Sequence, residues 1–343
     1  MEDAHSVVVP FAGIHGQGFF AIFDGHAGKH AAEWCGQNFS IHLLDRLRKA
    51  SSEHIPDILN ETFHAVDHDL TKMAEQSEGK MHSGCTAVTA FLRLEDATGR
   101  QSFLPPHYDP LGSSQDLIES EDVTEGDEEE SREKTTPSTA DGKPTKASKL
   151  KNAIRSIGTS SHARKASQGS TSPSISPKER KSQHIFSPPP ELNVRRVLYC
   201  ANAGDARGVL CRAGKAVRLT YDHKGTDKQE AKRIMDAGGF VMSGRVNGVL
   251  AVTRALGDSS MKEFVVGAPY TTETDLTEED EFIILACDGL WDVVEDQGAV
   301  DLVRAIADPK KAADELLDHA YKNYSTDNVT VIIVRFRNPV LSS

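Results

Sequence analysis

Residues 19–28 read FFAIFDGHAG: five apolar side chains run directly into Asp24, Gly25 and His26. A strand that only fills a core has no use for an acid, a glycine and a histidine at its exit. The pattern recurs at 282–292, where FIILACDGLWD delivers Asp288, Gly289 and, four residues on, Asp292. Asp205 in NAGDARG and Asp327 in TDN also border apolar runs. Carboxylates gathered at one sheet edge repel one another unless cations neutralise them. An all-oxygen donor set suits hard ions, Mg²⁺ or Mn²⁺, rather than zinc. An imidazole beside such a site can move a proton near neutral pH.

Each acid also has a plainer reading. An Asp after a strand commonly forms a turn or caps a helix. Asp24 could cap a helix over 26–49, and Asp292 could sit in a first helical turn, where a carboxylate is favoured. Gly25 could serve only an unusual backbone angle. Only the joint occurrence of these residues points to a shared site.

The elements that must carry them alternate in type. SVVVPF, FFAIFD, CTAVTAFLRL, RVLYCANAG, RGVLCRAG, FIILACD and NVTVIIVRF read as strands. Residues 26–49, 54–76, 226–238, 295–306 and 309–323 read as helices, the last with Pro309 in its first turn and an apolar stripe of Ala312, Leu316, Leu317 and Ala320. Ala213-Gly214 predicts a hairpin turn. Strand pairs joined by short turns, mixed with long helices, imply antiparallel sheets covered by helices, an α+β class.

Between residues 95 and 193 the composition changes. Nine carboxylates lie between Asp116 and Glu130, a basic stretch follows, and the rest is rich in Ser, Pro and Lys. So little apolar area predicts disorder, and a polar insertion between two strands adds little closure entropy. The sequence therefore predicts one domain, 1–338, interrupted by a low-complexity insertion at 95–193. KLKNAIRSI has the pattern of a short amphipathic turn. Thr136, Ser172, Ser176 and Ser187 precede prolines, and RKAS at 164–167 has the pattern of a basophilic kinase site; an unconstrained spacer is the alternative.

The net charge of -12 argues against nucleic-acid or anionic-membrane partners. No run approaches the ~18 apolar residues of a membrane span, and MEDAHSVVVP lacks the pattern of a secretory leader. Five cysteines without a CxxC pair suggest buried, reduced thiols and a cytosolic or nuclear monomer.

Taken in order, MEDAH, FFAIFDGHAGKHAAEW, SGCTAV, ANAGDARGVL, GGFVMSGRVNGVLAVTRALGD, FIILACDGLWDVV and TDNVTVIIV resemble the metal-dependent type 2C serine/threonine protein phosphatases. YDHKGTDKQEAKRIMDAGGF and VVGAPYTTE look closest to small fungal members that restrain stress-activated MAP kinase cascades. The resemblance implies a four-layer αββα sandwich with metals at one edge, and phosphoproteins, MAP kinase cascade components among them, as partners. It implies that Asp24 bridges two Mn²⁺ or Mg²⁺ ions, that Gly25 offers its carbonyl to one, and that Asp288 and Asp327 serve the other. Glu2 and Asp3 would hold metal-bound waters, and Asp205, Asp292 and Asp288 a weaker third ion. His26 would protonate the leaving alkoxide, and residues 242–258 would include a flap beside the substrate. His223, Trp34 and Trp291 read as structural, and Cys85 as a small buried residue.

Family members carry a strand and a phosphate-binding Arg upstream of MED, and here Met1 is the M of MED. Glu2 and Asp3 are therefore expected to fray and activity to be impaired, which leaves a catalytically inactive docking relative as the alternative. An aspartyl-phosphate phosphatase would need a DxD motif that DGH does not supply.

Overall fold

The computed structural model describes residues 1–50, 54–77, 82–106, 108 and 185–336. In chain order the strands are β1 (Ala4–Val8), β2 (Gly18–Phe23), β3 (Gly25–His26), β4 (Gly84–Cys85), β5 (Ala87–Glu95), β6 (Arg195–Ala203), β7 (Arg207–Arg212), β8 (Lys215–Arg218), β9 (Val241–Met242), β10 (Arg245–Val246), β11 (Leu256–Gly257), β12 (Tyr270–Asp275), β13 (Asp280–Ala286) and β14 (Val331–Arg335). The helices are α1 (His30–Lys49), α2 (Ile55–Gln76), α3 (Lys228–Asp236), α4 (Asp288–Trp291), α5 (Asp296–Val303) and α6 (Pro309–Lys322).

Two antiparallel sheets form the centre. One runs β1-β2-β5-β6-β12 and the other β14-β13-β7-β8. Their packing explains why the site-bearing strands read as unbroken apolar runs. Side chains alternate across a strand, and β2 is covered on both faces. Phe19, Ala21 and Phe23 join the cluster built with Phe39 of α1 and Phe63 of α2. Phe20 and Ile22 join Val88, Leu198, Ile283 and Leu285 between the sheets. β13 divides the same way: Ile283 and Leu285 face the other sheet, while Phe282, Ile284 and Ala286 pack with Val300 of α5 and Leu316 of α6. Helices thus cover both outer faces, the expected αββα sandwich. The stacked pair Phe19–Phe39, with centroids 5.7 Å apart, fastens α1 to its sheet, and each such side chain contributes ~1.5–3 kcal/mol on burial.

The hairpin turn falls where expected, with positive φ at Ala213 and Gly214. Pro309 opens α6, and Asp308 caps it by accepting the Lys311 N–H. All five cysteines are buried and free. Among the described residues no helix is long and apolar enough to cross a membrane.

Several expectations need correction. The helix predicted over 26–49 begins only at His30, because Gly25 and His26 form a strand and Ala27 and Gly28 adopt positive φ. Asp24 therefore caps nothing. β12 escaped the sequence reading because YTTETD is a polar edge strand. Within the span 95–193, residues 95–106, 108 and 185–193 are described, and several of them make specific contacts. The Asp96 carboxylate accepts from Thr98, Arg100 and Ser102, hydrogen bonds that hold it well below the usual carboxylate range. Tyr108 Oη donates to the Ala12 carbonyl at 2.7 Å, and Phe186 exchanges backbone bonds with Gly13 and His15. The acidic block, KLKNAIRSI, RKAS, Thr136, Ser172 and Ser176 lie outside the described residues.

Candidate active site

Beside the main sheets, three two-residue strands lie in the order β11-β4-β3. Cys85 pairs with Gly25 and Leu256, and Gly84 with His26 and Gly257. This ladder sets His26 beside Asp258, the residue after β11. The His26 Nε2 lies 2.8 and 2.9 Å from the two Asp258 carboxylate oxygens. Gly84 makes the approach possible, since a Cβ there would run into the Asp258 carboxylate. Asp67 of α2 secures the same strand: its carboxylate accepts the Gly257 N–H at 2.9 Å and the Lys262 Nζ at 2.7 Å. Sequence reasoning placed Asp258 at the end of the flap but missed its pairing with His26. The only signal was an acid after a glycine.

Asp24 leaves β2 half-buried, and its backbone carbonyl accepts the Thr86 N–H at 2.8 Å. Burial pushes its carboxyl up to about 9, and Asp288, Asp3, Asp205 and Asp327 push in the same direction. Asp288 opens α4, directly after β13. Burial, then Asp205, Asp292 and Asp327, raise it to about 7, with Lys224 opposing. Asp205 is buried and raised for the same leading reason, again with Lys224 opposing. Asp24, Asp3, Asp205, Asp288 and Asp327 therefore share one electrostatic neighbourhood, and Asp292 enters it through Asp288. Asp327 is exposed and caps itself locally, its Oδ1 accepting the Asn328 N–H at 2.7 Å.

Glu2 and Asp3 do not fray. The Glu2 N–H donates to Asn328 Oδ1 at 2.6 Å, and the Glu2 carboxylate accepts the Gly28 N–H at 3.2 Å. Asp3 Oδ2 accepts the Thr330 hydroxyl at 2.6 Å. Pairing of Ala4 with Phe23 starts β1 at once and holds both acids beside Asp24. Gly289 is equally constrained, because the chain bearing Asp327 and Asn328 passes so close that a Cβ would strike the Asn328 carbonyl. Gly289→Ala is expected to cost ~1–3 kcal/mol through overpacking. A melting curve checks it, with a Tm equal to the wild type as the contrary result.

The remaining residues behave as structural parts. His223 is fully buried, its Nδ1 lies against Gly204, and burial with nearby Arg254 pulls it down to about 4. Trp291 donates its indole N–H to the Ala286 carbonyl, and Trp34 packs on the α1–α2 cluster. The stretch expected to include a flap contains the antiparallel pair β9–β10. Its base is tied by Glu230: burial opposes ionisation, but Arg254, Arg233 and Thr253 hold the carboxylate down to about 2.

The donor set fits a hard divalent ion. Asp3 Oδ1 is buried without a hydrogen-bond partner, and burial, with the neighbouring acids, holds Asp24 and Asp288 above their ordinary range. Among the described residues no three Asp, Glu, His or Cys side chains close tightly enough to cage an ion by themselves.

The family pattern described as "Protein phosphatase 2C" matches residues 1–98 and 122–329. The chain belongs to the protein phosphatase 2C family. "Protein phosphatase 2C homolog 1" of Schizosaccharomyces pombe is 37% identical over 341 residues, spanning 99% of this chain and 70% of its own length. The Saccharomyces cerevisiae protein of the same name is 36% identical over 335 residues, spanning 97% of this chain and 87% of its own. Among solved structures, a serine-threonine phosphatase 2C from Toxoplasma gondii shares the fold with a TM-score of 0.61 at 18% identity, over 98% of this chain and 90% of that one. This member of the family is thus a protein phosphatase whose long-range relatives include two fungal ones.

Proposed function

We propose that this chain hydrolyses phosphoserine and phosphothreonine in proteins with two Mn²⁺ or Mg²⁺ ions held by Asp24, the Gly25 carbonyl, Asp288 and Asp327. Glu2 and Asp3 would hold their waters, and Asp205 with Asp292 and Asp288 would form a weaker third site. The observation that carries this reading is the raised pair Asp24 and Asp288: burial and their acidic neighbours disfavour ionising both near neutral pH unless positive charge joins them. When bound, such ions acidify water and offset charge on a phosphoryl group.

The protein's own residues supply the rest. Asp24 and Asp288, on the ends of two strands buried on both faces, give the centre a rigid support. An alkoxide from serine or threonine is a poor leaving group and requires a proton. His26 would give it. Asp258 engages Nε2 and so constrains the ring, and the proton would then come from Nδ1. Together, residues on either side of the insertion would form one phosphatase domain. The resemblance of residues 221–240 and 265–273 to small fungal members supports phosphoproteins of stress-activated MAP kinase cascades as substrates, met by a monomer in the cytosol or nucleus.

The test is hydrolysis of a phosphothreonine peptide with and without Mn²⁺. Turnover should require the ion and fall at least 100-fold in Asp288→Ala, the loss of several kcal/mol of charge stabilisation. Turnover undiminished by a chelator would defeat the reading.

A further inference from the structure

Lys224 is the one lysine or arginine that forms ion pairs with Asp205 and Asp292 among the described residues. Its Nζ lies 3.4 Å from Asp205 Oδ2 and 3.4 Å from Asp292 Oδ1, bridging two acids on different segments. Asp205 is buried and Asp292 exposed, so the ammonium spans the site from its floor to its rim. Its backbone is fixed independently: Lys224 bridges Val252 in the stretch leading from the flap, and its carbonyl accepts the Asp227 N–H that precedes α3.

We propose that Lys224 is a built-in counter-ion that competes with a divalent ion for the Asp205–Asp292 pair, so that filling the weak third site requires the lysine to swing out. This rests on the metal reading above. An ammonium satisfies the two carboxylates at single positive charge, and a second cation cannot share the gap without repulsion. A lysine stem has four rotatable bonds, so Nζ can leave for solvent while its Cα stays pinned. The weakness of the third site then comes from an internal competitor as well as from its few ligands.

Room-temperature electron paramagnetic resonance of free Mn²⁺, titrated into the full chain, counts bound ions without reference to turnover. The Lys224→Met variant keeps the aliphatic stem and removes the charge. It should tighten the weak class of Mn²⁺ by about tenfold, the factor that roughly 1.4 kcal/mol of relieved repulsion supplies. The tighter class should tighten by less than the weak one, because Lys224 pairs directly with Asp205 and Asp292 and acts on Asp288 only through space. Lys224→Gln should behave alike, which guards against a packing artefact, and circular dichroism confirms that both fold. Adding Asp292→Asn to Lys224→Met should abolish the gain. A weak class unchanged or weakened in both lysine variants, with wild-type binding intact, overturns the proposal and leaves the metal reading standing. A wild-type protein that binds no Mn²⁺ overturns both.

Discussion

Asp24→Asn is expected to cut phosphopeptide hydrolysis by roughly 10²–10³ and, in the metal-free protein, to raise the Tm. Both effects follow from one carboxyl. Its value in the fold is about 9 against an ordinary 3.8, with burial the first cause and Asp288 the second. Between those pH values the folded, metal-free protein keeps a proton that the unfolded chain has released. Stability is therefore greatest at the acid end of the window and declines as pH climbs toward 9, by at most about 1.4 kcal/mol per pH unit for one proton. Asp288 adds a second decline that ends near its own value of about 7. Asparagine at 24 never has to hold that proton, so the slope should flatten and the metal-free variant should gain about 1–2 kcal/mol at pH 8. The same substitution takes away a carboxylate proposed to hold the ions, and hydrolysis should fall by roughly 10²–10³ at saturating Mn²⁺. Calorimetric melts from pH 5 to 9, with and without Mn²⁺, check the first half. A variant that melts below wild type across the range would show that Asp24 holds the fold together rather than straining it.

Asp258→Asn should separate chemistry from binding. The carboxylate grips His26 Nε2 with both oxygens and is itself held by the β11–β4–β3 ladder and by Asp67 through Gly257. Asparagine retains the shape and loses the charge. A mispositioned general acid forfeits much of the ~10²–10⁴ that proton transfer contributes. We expect kcat on phosphothreonine peptide to fall by about 30-fold or more with KM within a factor of about three. An aryl phosphate, whose leaving group departs without a proton, should lose much less. Equal losses on both substrates would assign Asp258 to the scaffold alone.

The sequence made the acids legible because the strands beneath them are buried on both faces and read as unbroken apolar runs. Asp24 after β2 and Asp288 after β13 stand out for that reason. The positioning residues did not stand out. β3, β4 and β11 have two residues each, too few for any periodicity to show. Asp258 adopts a left-handed backbone angle, φ 47°, and in sequence reads as a turn acid. Lys224 reads as a loop lysine until the fold sets it between Asp205 and Asp292. Asp67 looks like one more polar residue of an amphipathic helix, though its carboxylate reaches a strand 190 residues away in sequence.

Glu2 meets Asn328, and Asp3 meets Thr330, across 326 and 327 positions. A growing or clipped polypeptide that stops short of residue 327 can still bury most of the α1–α2 cluster, yet it lacks one wall of the acidic pocket. A cut before residue 327 would remove Asp327 and, with it, the hydrogen-bond partners that pin Glu2 and Asp3.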